Sequence, residues 1–376
     1  MQSETFRQPG LSVRNRIYRY IYEARDFCSR QAVASACGIS MPTLYQNLSE
    51  LMEEGLVQSS GEEQSTGGRK AQGLDVVPEA RVAVGIAVAE HQLRLIAMDL
   101  RLRELAYSVR PFDLIAELSG SHSTELAAAL EAFLDENGID REKLLGVGVT
   151  IPGLITKDHA SILNAPTLNL ENVKMETLLR DIPYPVYAEN DATASGHAEC
   201  FVRGEKENLA YLSLENGIGG AVMIGGVPYA GDEAKSGEFG HICIEPGGLR
   251  CTCGKHGCLE AYVTPKRITD GLGVSLEVFF AGVERHEPAY ESLLYDMLRH
   301  LAIGVNSIHM ILDCKVVLGG FLSEYLQPYL PVLRQYVLAG DPFITNADFV
   351  QLSVVPHHIT PLGAGLYFVR EFIENV

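Results

Sequence analysis

The sequence predicts an α/β protein whose body forms two lobes with a cleft between them, preceded by a small head of helices and a β-hairpin. Strand and helix patterns alternate from Arg81 to the C-terminus, whereas short helices bounded by serine and glycine fill residues 13–57. Charge separates the same two parts: the 376 residues carry a net charge of −18, yet residues 1–75 hold 8 basic and 9 acidic side chains. We therefore predict a head over residues 1–77 and a body over residues 78–376.

Three short helices are predicted in the head. The first covers residues 13–22, where two isoleucines lie one turn apart. The second begins near Ser29 and ends at Gly38, because serine favours the start of a helix and glycine the left-handed residue that follows its end. Ser40 caps the third helix, in which leucines recur at helical spacing and face the core. These leucines are Leu44, Leu48 and Leu51.

Two strands around a polar turn follow the third helix and complete a winged helix-turn-helix. The outward face of that helix carries short polar side chains that can reach base edges in a major groove, and basic residues at the wing tip can contact phosphate. The predicted DNA-binding residues are Ser40, Thr43, Tyr45, Gln46, Asn47, Arg69 and Lys70. The alternative is a docking module, because the outward face has no Arg or Lys of its own. If the head does bind DNA, the candidates for phosphate contact are three arginines of the first helix, Arg14, Arg16 and Arg19.

The body begins with a three-stranded meander, and strands and helices alternate after it. The predicted strands cover residues 81–89, 93–99, 105–110, 145–151, 185–189, 209–214, 219–224 and 315–318. The predicted helices cover residues 123–137, 192–201, 292–312 and 361–373. This order predicts two lobes that enclose a cleft. The small lobe takes residues 78–190 and the C-terminal helix over 361–376, and the large lobe takes residues 191–360.

A cysteine-rich block, GHICIEPGGLRCTCGKHGCLE, covers residues 240–260. Three thiolates and one imidazole form a closed tetrahedral zinc set, and glycines between them let the backbone wrap around one ion. The predicted ligands are His241, Cys251, Cys253 and Cys258. Cys243 is a nearby competitor, but it alternates with apolar neighbours and is predicted to lie in the core. The alternative is that these cysteines are free core thiols, or one disulfide and a spare thiol.

The start of the chain bears on that alternative. Its first ten residues are polar, and no apolar run of membrane-spanning length follows. We therefore expect a cytoplasmic protein with no membrane segment. In a reducing compartment clustered cysteines bind metal more often than they pair. The prediction is one structural zinc ion per chain.

Six further motifs, taken together, resemble one family over nearly the whole chain. They are Ile151-Pro152-Gly153, Glu189-Asn190-Asp191-Ala192, Gly217-Ile218-Gly219-Gly220, Gly237-Glu238-Phe239-Gly240-His241, the cysteine block ending in Glu260, and Val317-Leu318-Gly319-Gly320. The chain resembles the ROK proteins (repressor, open reading frame, kinase). The resemblance implies an actin/hexokinase-like, ribonuclease H-like fold for the body, behind the winged head.

The resemblance also implies a sugar site. Asp191 matches the family's general base, which takes a proton from a sugar hydroxyl, and Glu238 and Glu260 match carboxylates that accept sugar hydroxyls. His241 matches a residue that binds zinc through one ring nitrogen and the sugar through the other. The implied sugar-binding residues are Gly153, Asn190, Asp191, Glu238, His241 and Glu260. The alternative for each carboxylate is a solvated charge or a helix cap, and Asp191 at a helix start would be a favourable cap.

The chain departs from the family kinases at both phosphate turns. Where those kinases carry Asp-x-Gly-Gly-Thr, this chain has Ala87, Ala89, Glu90 and His91, which leaves no carboxylate to organise Mg²⁺. Where they carry Gly-Thr-Gly-x-Gly, this chain begins with Glu215. Carboxylates that face a polyphosphate oppose its binding. We therefore interpret Asp191 as a vestigial base and the body as a sugar sensor rather than an enzyme.

These observations predict a transcriptional regulator of carbohydrate metabolism, expected to be a repressor. Its expected partners are operator DNA, a monosaccharide or sugar-phosphate effector, and further copies of itself in a homodimer or tetramer. The first alternative is an ATP-dependent hexose or N-acylhexosamine kinase with an appended head. The second is a zinc sensor whose metal occupancy is the signal.

Overall fold

The computed structural model describes most of the chain. The described residues are 11–24, 27–62, 72–89, 91–119, 125–168, 170–204, 206, 208–355 and 357–376.

The head contains the three predicted helices, and their ends lie within about one residue of the prediction. They are α1 (Val13–Glu23), α2 (Arg30–Cys37) and α3 (Met41–Glu53). Serine hydroxyls cap α2 and α3: Ser29 Oγ accepts from the backbone N–H of Ala32 at 3.1 Å, and Ser40 Oγ from that of Thr43 at 3.4 Å. Gly38 ends α2 in the left-handed conformation, with a φ of 64°.

A small antiparallel sheet follows the helices, as the winged fold requires. Its strands are β1 (Cys28–Ser29), β2 (Val57–Glu62) and β3 (Gln72–Val76), in the order β1-β3-β2. The apolar faces of the three helices are buried against it, and Leu44, Leu48 and Leu51 lie in that core as predicted. The predicted strand pair is confirmed.

One five-stranded sheet, with the order β11-β7-β4-β5-β6, begins the body. Its strands are β4 (Val82–Val88), β5 (Gln92–Asp99), β6 (Glu104–Pro111), β7 (Leu144–Ile151) and β11 (Val186–Asn190). The β4-β5-β6 meander is antiparallel, and β7 and β11 add to it in parallel. Helices α4 (Leu114–Ser119), α5 (Glu125–Glu136) and α6 (Met175–Leu179) accompany this sheet. A three-stranded sheet that the sequence did not predict lies beside it, formed by β8 (Leu154–Ile155), β9 (Ser161–Ala165) and β10 (Leu170–Lys174).

The second five-stranded sheet has the order β14-β13-β12-β15-β16. Its strands are β12 (Leu209–Leu214), β13 (Ile218–Ile224), β14 (Val227–Pro228), β15 (Lys315–Gly319) and β16 (Val350–Leu352). Its helices are α8 (Glu260–Val263), α9 (Lys266–Leu272), α10 (Leu276–Glu284), α11 (Pro288–Leu312) and α12 (Leu330–Gly340). The predicted hairpin is present as β12 and β13, the predicted long helix as α11, and the predicted strand over residues 315–318 as β15.

Two helices join the sheets: α7 (Asp191–Arg203), which follows β11, and the C-terminal α13 (Ile359–Asn375). They pack on each other, and α13 also lies directly on β4 and β7. Glycines make that approach possible, because a Cβ at Gly85 would lie 1.7 Å from the Pro361 carbonyl oxygen and one at Gly148 would lie 1.9 Å from that of Ala364.

The head is docked on the body. Asn15 Nδ2 in α1 donates to the Ile373 carbonyl oxygen in α13 at 2.9 Å, and the Tyr22 hydroxyl donates to the Leu100 carbonyl oxygen after β5 at 2.6 Å. The Tyr18 ring meets the Phe372 ring edge to face, with centroids 6.0 Å apart. Head and body therefore share one buried apolar cluster. Among the described residues, no helix combines the length and the apolar character needed to cross a bilayer.

Candidate functional site

A cavity of about 370 Å³ opens between the two large sheets. The ends of β7 and β11, the start of α7, the β12–β13 turn and the cysteine block line it. All six residues that the resemblance assigns to a sugar lie in its wall. They are Gly153, Asn190, Asp191, Glu238, His241 and Glu260.

Asn190 and Asp191 reach the cavity because β11 runs parallel to β7, so that their carboxyl ends meet. Asn190 caps α7: its Oδ1 accepts from the Thr193 N–H at 2.9 Å, while its Nδ2 donates to the Gly153 carbonyl oxygen at 2.9 Å. Asp191 Oδ1 accepts from the Ala192 N–H at 2.8 Å. Burial raises the pKa of the Asp191 carboxyl, although this hydrogen bond and the Arg94 charge act in the opposite direction.

Gly153 has a structural reason to be glycine besides the approach of a ligand. Its φ is 120°, and a Cβ there would lie 2.6 Å from the Asn164 carbonyl oxygen in β9. The glycine therefore lets the β7–β8 connection pack against the three-stranded sheet.

The four predicted metal ligands converge. One donor atom from each of His241, Cys251, Cys253 and Cys258 lies within 4.8 Å of the others. His241 Nδ1 is 3.6 Å from Cys251 Sγ, and Cys253 Sγ is 3.8 Å from Cys258 Sγ, far beyond a disulfide bond length of about 2.05 Å. The disulfide alternative therefore does not describe this arrangement. The set has the number and type of donors that a tetrahedral metal ion requires.

The local backbone explains why the cysteines meet. Gly254 and Gly257 have φ values of 85° and 83°, and a Cβ at Gly257 would lie 1.9 Å from the Glu245 carbonyl oxygen. Burial raises the pKa of the Cys251 thiol to about 12, so a cation is needed to hold it as a thiolate at neutral pH. Cys243 is exposed, and the prediction that it lies in the core was wrong. Its strand-like alternation fails because the residue forms only an isolated bridge to Cys258.

The carboxylates beside the metal set are held differently. Glu260 is buried at the start of α8, where Oε2 accepts from the Ile218 N–H at 3.0 Å and Oε1 accepts from the Thr252 hydroxyl at 2.6 Å. Within the part of the chain that the structure describes, Glu238 has no such hydrogen-bond partner, and its Oε2 lies 3.9 Å from His241 Nε2. Burial raises the pKa of the Glu238 carboxyl, and the Asp191 and Glu260 charges raise it further, against the opposing effect of His241. Since Nδ1 of His241 faces the cysteines, Nε2 remains on the Glu238 side.

An ion pair that the sequence did not predict spans the cleft at the altered phosphate turns. Arg94 in β5 lies directly opposite Ala87 in β4, and its guanidinium is 3.8 Å from the carboxylate of Glu215, which follows β12 in the other sheet. Burial and the Asp191 charge raise the pKa of the Glu215 carboxyl, and Arg94 lowers it. The predicted meander implies that residues near Ala87 and Arg94 face each other on neighbouring strands. The sequence does not predict that Glu215 of the second sheet contacts Arg94, because that contact depends on how the two lobes pack. Glu90, the other acid of the sequence argument, lies outside the described residues.

The predicted DNA-binding residues differ in their exposure. Tyr45 is 55% exposed and Gln46 is also exposed, so both side chains lie on the outer surface of α3. Thr43 and Asn47 are only half-exposed: the Thr43 hydroxyl bonds to Ser40 Oγ at 2.8 Å, and Asn47 Nδ2 donates to the Thr43 carbonyl oxygen at 2.8 Å. Arg69 and Lys70 lie outside the described residues.

The arginines of α1 are engaged within the head. Arg14 forms a two-point ion pair with Glu54, at 2.6 and 2.5 Å. Arg16 donates to the Cys37 carbonyl oxygen at 3.0 Å, and Arg19 lies 3.9 Å from Glu23. A phosphate contact by Arg14 would therefore compete with an existing bidentate pair.

Two sheets that enclose a polar cleft, joined by α7 and α13 and preceded by a winged head, define an actin/hexokinase-like sensor or kinase body with an N-terminal winged helix-turn-helix. A sequence model of the ROK family matches residues 84–346. The chain belongs to the ROK family.

Relatives that match most of the chain carry regulator names. The xylose repressor of Bacillus subtilis (strain 168) is 26% identical over 336 residues, which cover 86% of this chain and 82% of the repressor. The DNA-binding transcriptional dual regulator NagC of Escherichia coli (strain K12) is 27% identical, over 96% of this chain and 93% of NagC.

Solved structures that resemble this chain include a transcriptional regulator matched over nearly all of this chain and a kinase matched over about three quarters of it. A ROK family transcriptional regulator, described as a homologue of the Escherichia coli MLC protein, superposes with a TM-score of 0.75 over 96% of each chain, at 19% identity. The ROK hexokinase of Thermus thermophilus superposes with a TM-score of 0.60, at 27% identity, over 77% of this chain and 99% of its own. The kinase likeness thus leaves about a quarter of this chain unmatched.

Proposed function

We propose that this protein is a DNA-binding transcriptional regulator of carbohydrate metabolism, acting as a repressor, whose cleft binds a monosaccharide or sugar-phosphate effector. The observation that carries the proposal is the joining of two parts. The body contains a cavity lined by carboxylates, an imidazole and an amide, and its helix α13 reaches that cavity at Thr360. The same helix contacts the head, whose third helix is exposed. The names of two relatives support it, a xylose repressor and a transcriptional dual regulator, which are matched over 82% and 93% of their own length.

The cleft offers the acceptors that a polyol needs. Asp191 and Glu238 present carboxylate oxygens to the cavity, and His241 Nε2 lies beside Glu238. Glu260 Oε1 accepts from the Thr252 hydroxyl and lies 3.5 Å from the Cys251 sulfur, whereas Oε2 accepts from one backbone N–H. A carboxylate oxygen can accept two hydrogen bonds, so Oε2 can accept a sugar hydroxyl as well. Asn190 is fixed at both ends of its amide, which positions it for a ligand at little entropic cost.

We assign Zn²⁺ to the His241, Cys251, Cys253 and Cys258 set, one ion per chain in a structural role. Bound there, the ion holds the cysteines as thiolates and closes the loop around itself. Coordination through Nδ1 would fix the tautomer of His241, so that Nε2 carries a hydrogen and donates to a sugar oxygen. The closed ligand set favours a structural ion over a metal sensor.

In this proposal the body does not catalyse phosphoryl transfer. The Arg94–Glu215 pair occupies the region between the two altered phosphate turns, and a polyphosphate would have to displace it. Phosphoryl transfer depends on positioning and charge neutralisation, and Ala87 supplies no carboxylate for Mg²⁺. The second candidate is an ATP-dependent hexose or N-acylhexosamine kinase with an appended head, which the retained Asp191 and the likeness to the Thermus hexokinase favour. Sugar phosphorylation with ATP that Asp191→Asn abolishes would establish the kinase.

The regulator is tested on DNA. Footprinting on the region upstream of its own gene and of sugar-metabolism genes should find a protected site that a sugar alters. Two-fold symmetry in the protected site would support a homodimer. The double variant Tyr45→Ala/Gln46→Ala should lower affinity for that site about tenfold or more, because each good base contact contributes about 1–3 kcal/mol.

The matched control for that variant is Phe343→Ala, which removes an aromatic side chain that is 87% exposed on the body. It should leave DNA affinity unchanged. An equal loss of DNA affinity in both variants, or the absence of any protected DNA site, would contradict the proposal that the protein is a DNA-binding regulator.

A further inference from the structure

We propose that the effector is larger than one sugar ring: a sugar joined, on the side of the ring beside Gly153 and Glu238, to a second sugar or another glycosidic substituent. This rests on the proposed sugar-binding function and specifies its ligand class. The geometry points to it because the sugar cavity continues into a second cavity that one ring would leave empty.

The second cavity has a volume of about 590 Å³, larger than the 370 Å³ of the first. The two share Gly153, Asn190 and Glu238 in their walls, so they meet at residues already assigned to the sugar. Each is by itself within the range of roughly 300–1,000 Å³ that encloses a small-molecule ligand. A monosaccharide needs only the first.

The position of Asp191 indicates which part of a bound sugar faces the second cavity. Asp191, Arg94 and Glu215 line the first cavity and do not line the second. A hydroxyl that bonds to Asp191 therefore points towards the Arg94–Glu215 pair. Gly153 and Glu238 line both cavities, so a substituent on the part of the ring beside them enters the second cavity.

The wall of the second cavity suits a carbohydrate. Tyr229 is 55% exposed and offers a ring face, on which the apolar side of a sugar can stack. The Tyr187 hydroxyl donates to Glu189 Oε2 at 3.0 Å, and burial raises the pKa of the Glu189 carboxyl. His159 Nδ1 is shielded from solvent without a hydrogen-bond partner, 3.9 Å from Glu189 Oε1. An unsatisfied polar atom of this kind is costly unless a ligand completes its bonding.

The remaining wall comes from the segment after β14. Its residues in the cavity include Tyr229, Ala230, Gly231, Asp232, Ala234 and Ser236. Its start is linked to its end by a hydrogen bond from the Ser236 N–H to the Ala230 carbonyl oxygen at 3.1 Å. The cavity wall holds the basic Lys157 against three acidic side chains, so it disfavours an anionic substituent. The acidic residues are Glu189, Asp232 and Glu238.

The experiment is titration calorimetry on the full-length, metal-loaded protein. The ligands are glucose, galactose, mannose, xylose and N-acetylglucosamine, each with its two methyl glycosides and its 1,4-linked disaccharide. At least one disaccharide or glycoside should bind about tenfold or more tightly than its parent sugar. Ala230→Trp, which fills the second cavity from an exposed position, should remove that gain and leave the parent sugar within about twofold.

The matched control is Ala289→Trp, the same change at an exposed position in α11. It should alter neither affinity. One outcome is that free monosaccharides bind the protein and cause it to release DNA, while every glycoside binds more weakly. That result would exclude the larger effector and leave the proposed regulatory function intact. If no sugar of either kind binds, the sugar-effector part of the proposed function fails together with this inference.

Discussion

Asp191 shows how one residue can satisfy two interpretations at once. It begins α7, where a carboxylate favours the helix dipole, and it also faces the sugar cavity. The cap at this helix is made by Asn190, whose Oδ1 accepts from the Thr193 N–H, so Asp191 is not needed for that purpose. Its burial, which raises the pKa of its carboxyl, is therefore a cost that a ligand site explains better than a cap does.

That burial gives a prediction about pH. A carboxyl whose pKa is raised in the folded protein binds its proton more tightly there than in the unfolded chain. Its contribution to stability is present below the ordinary pKa of about 3.9 and is lost as pH rises through the raised value. Asp191→Asn, neutral at every pH, should therefore increase the free energy of unfolding at pH 8, and the increase should shrink as pH falls to 5.

Urea denaturation over that pH range measures this effect. Asp232→Asn, at an exposed aspartate, is the control and should change little. A gain for Asp191→Asn that does not depend on pH would contradict the explanation by burial.

The cysteine set supports a second prediction at the residue scale. Cys251→Ser should remove the bound zinc, about one equivalent per chain, and lower sugar affinity at least tenfold, because His241 loses the ion that orients it. Zinc content and calorimetric titration with the sugar measure the two effects. Cys243→Ser, in the same block but outside the ligand set, should keep both. Normal sugar affinity in metal-free Cys251→Ser would break the proposed link between metal and ligand.

At the scale of elements, β5 and β12 meet across the cleft through Arg94 and Glu215. Both side chains are about a quarter exposed, at 25% and 23%, so solvent weakens the pair less than it would at the surface. The sequence showed two carboxylates where the family kinases hold phosphate. The structure pairs one of them with an arginine, which removes part of the repulsion that the sequence argument invoked.

Arg94→Met should leave the half-buried Glu215 carboxylate without its partner and reduce the free energy of unfolding by about 1–3 kcal/mol. Adding Glu215→Gln should restore part of the loss. A double-mutant cycle by chemical denaturation is expected to give a coupling of about 0.5–3 kcal/mol. Additive effects of the two changes would mean that the pair does not link the sheets.

Elements also show where the sequence was insufficient. The long helix α11 and the meander were predictable because their patterns extend over many residues. Strands β8, β9 and β10 have two to five residues each and were missed. Such short segments carry too few alternating positions to be told from loops, and their pairing depends on neighbours. Gly153 was assigned to the sugar by the resemblance to the ROK proteins, and its packing against β9 was not predicted.

At the scale of the whole molecule, the head is joined to the body by specific polar contacts. Arg101, after β5, donates from Nη1 to the Tyr22 carbonyl oxygen at 2.9 Å and from Nη2 to Asp75 at 3.1 Å. Its guanidinium also lies 4.8 Å from the Tyr22 ring centroid. Since β5 also carries Arg94 in the cleft, one strand connects the ligand cavity to the head.

This connection predicts an allosteric variant. Arg101→Met should keep sugar affinity within about twofold and weaken the effect of the sugar on DNA affinity about five-fold or more, because coupling between sites requires both to bias one shared arrangement. DNA titrations with and without the sugar measure it. Arg103→Met, two residues away, is the control. An unchanged sugar response would show that the signal takes another route, for example through α13.

The sequence by itself predicted the order of head and body, because helical periodicity and capping are local properties of the chain. Short-range spacing grouped the candidate metal ligands, and the resemblance to the ROK proteins supplied the candidate sugar-binding residues. The division into domains at residue 77 and between the lobes stays a prediction. Only the tertiary structure decided that Arg94 meets Glu215, that Arg101 holds the head, and that a second cavity adjoins the first. Each of these joins residues far apart in the chain, and their proximity depends on sheet register and on how α7 and α13 pack between the sheets, which no local pattern encodes.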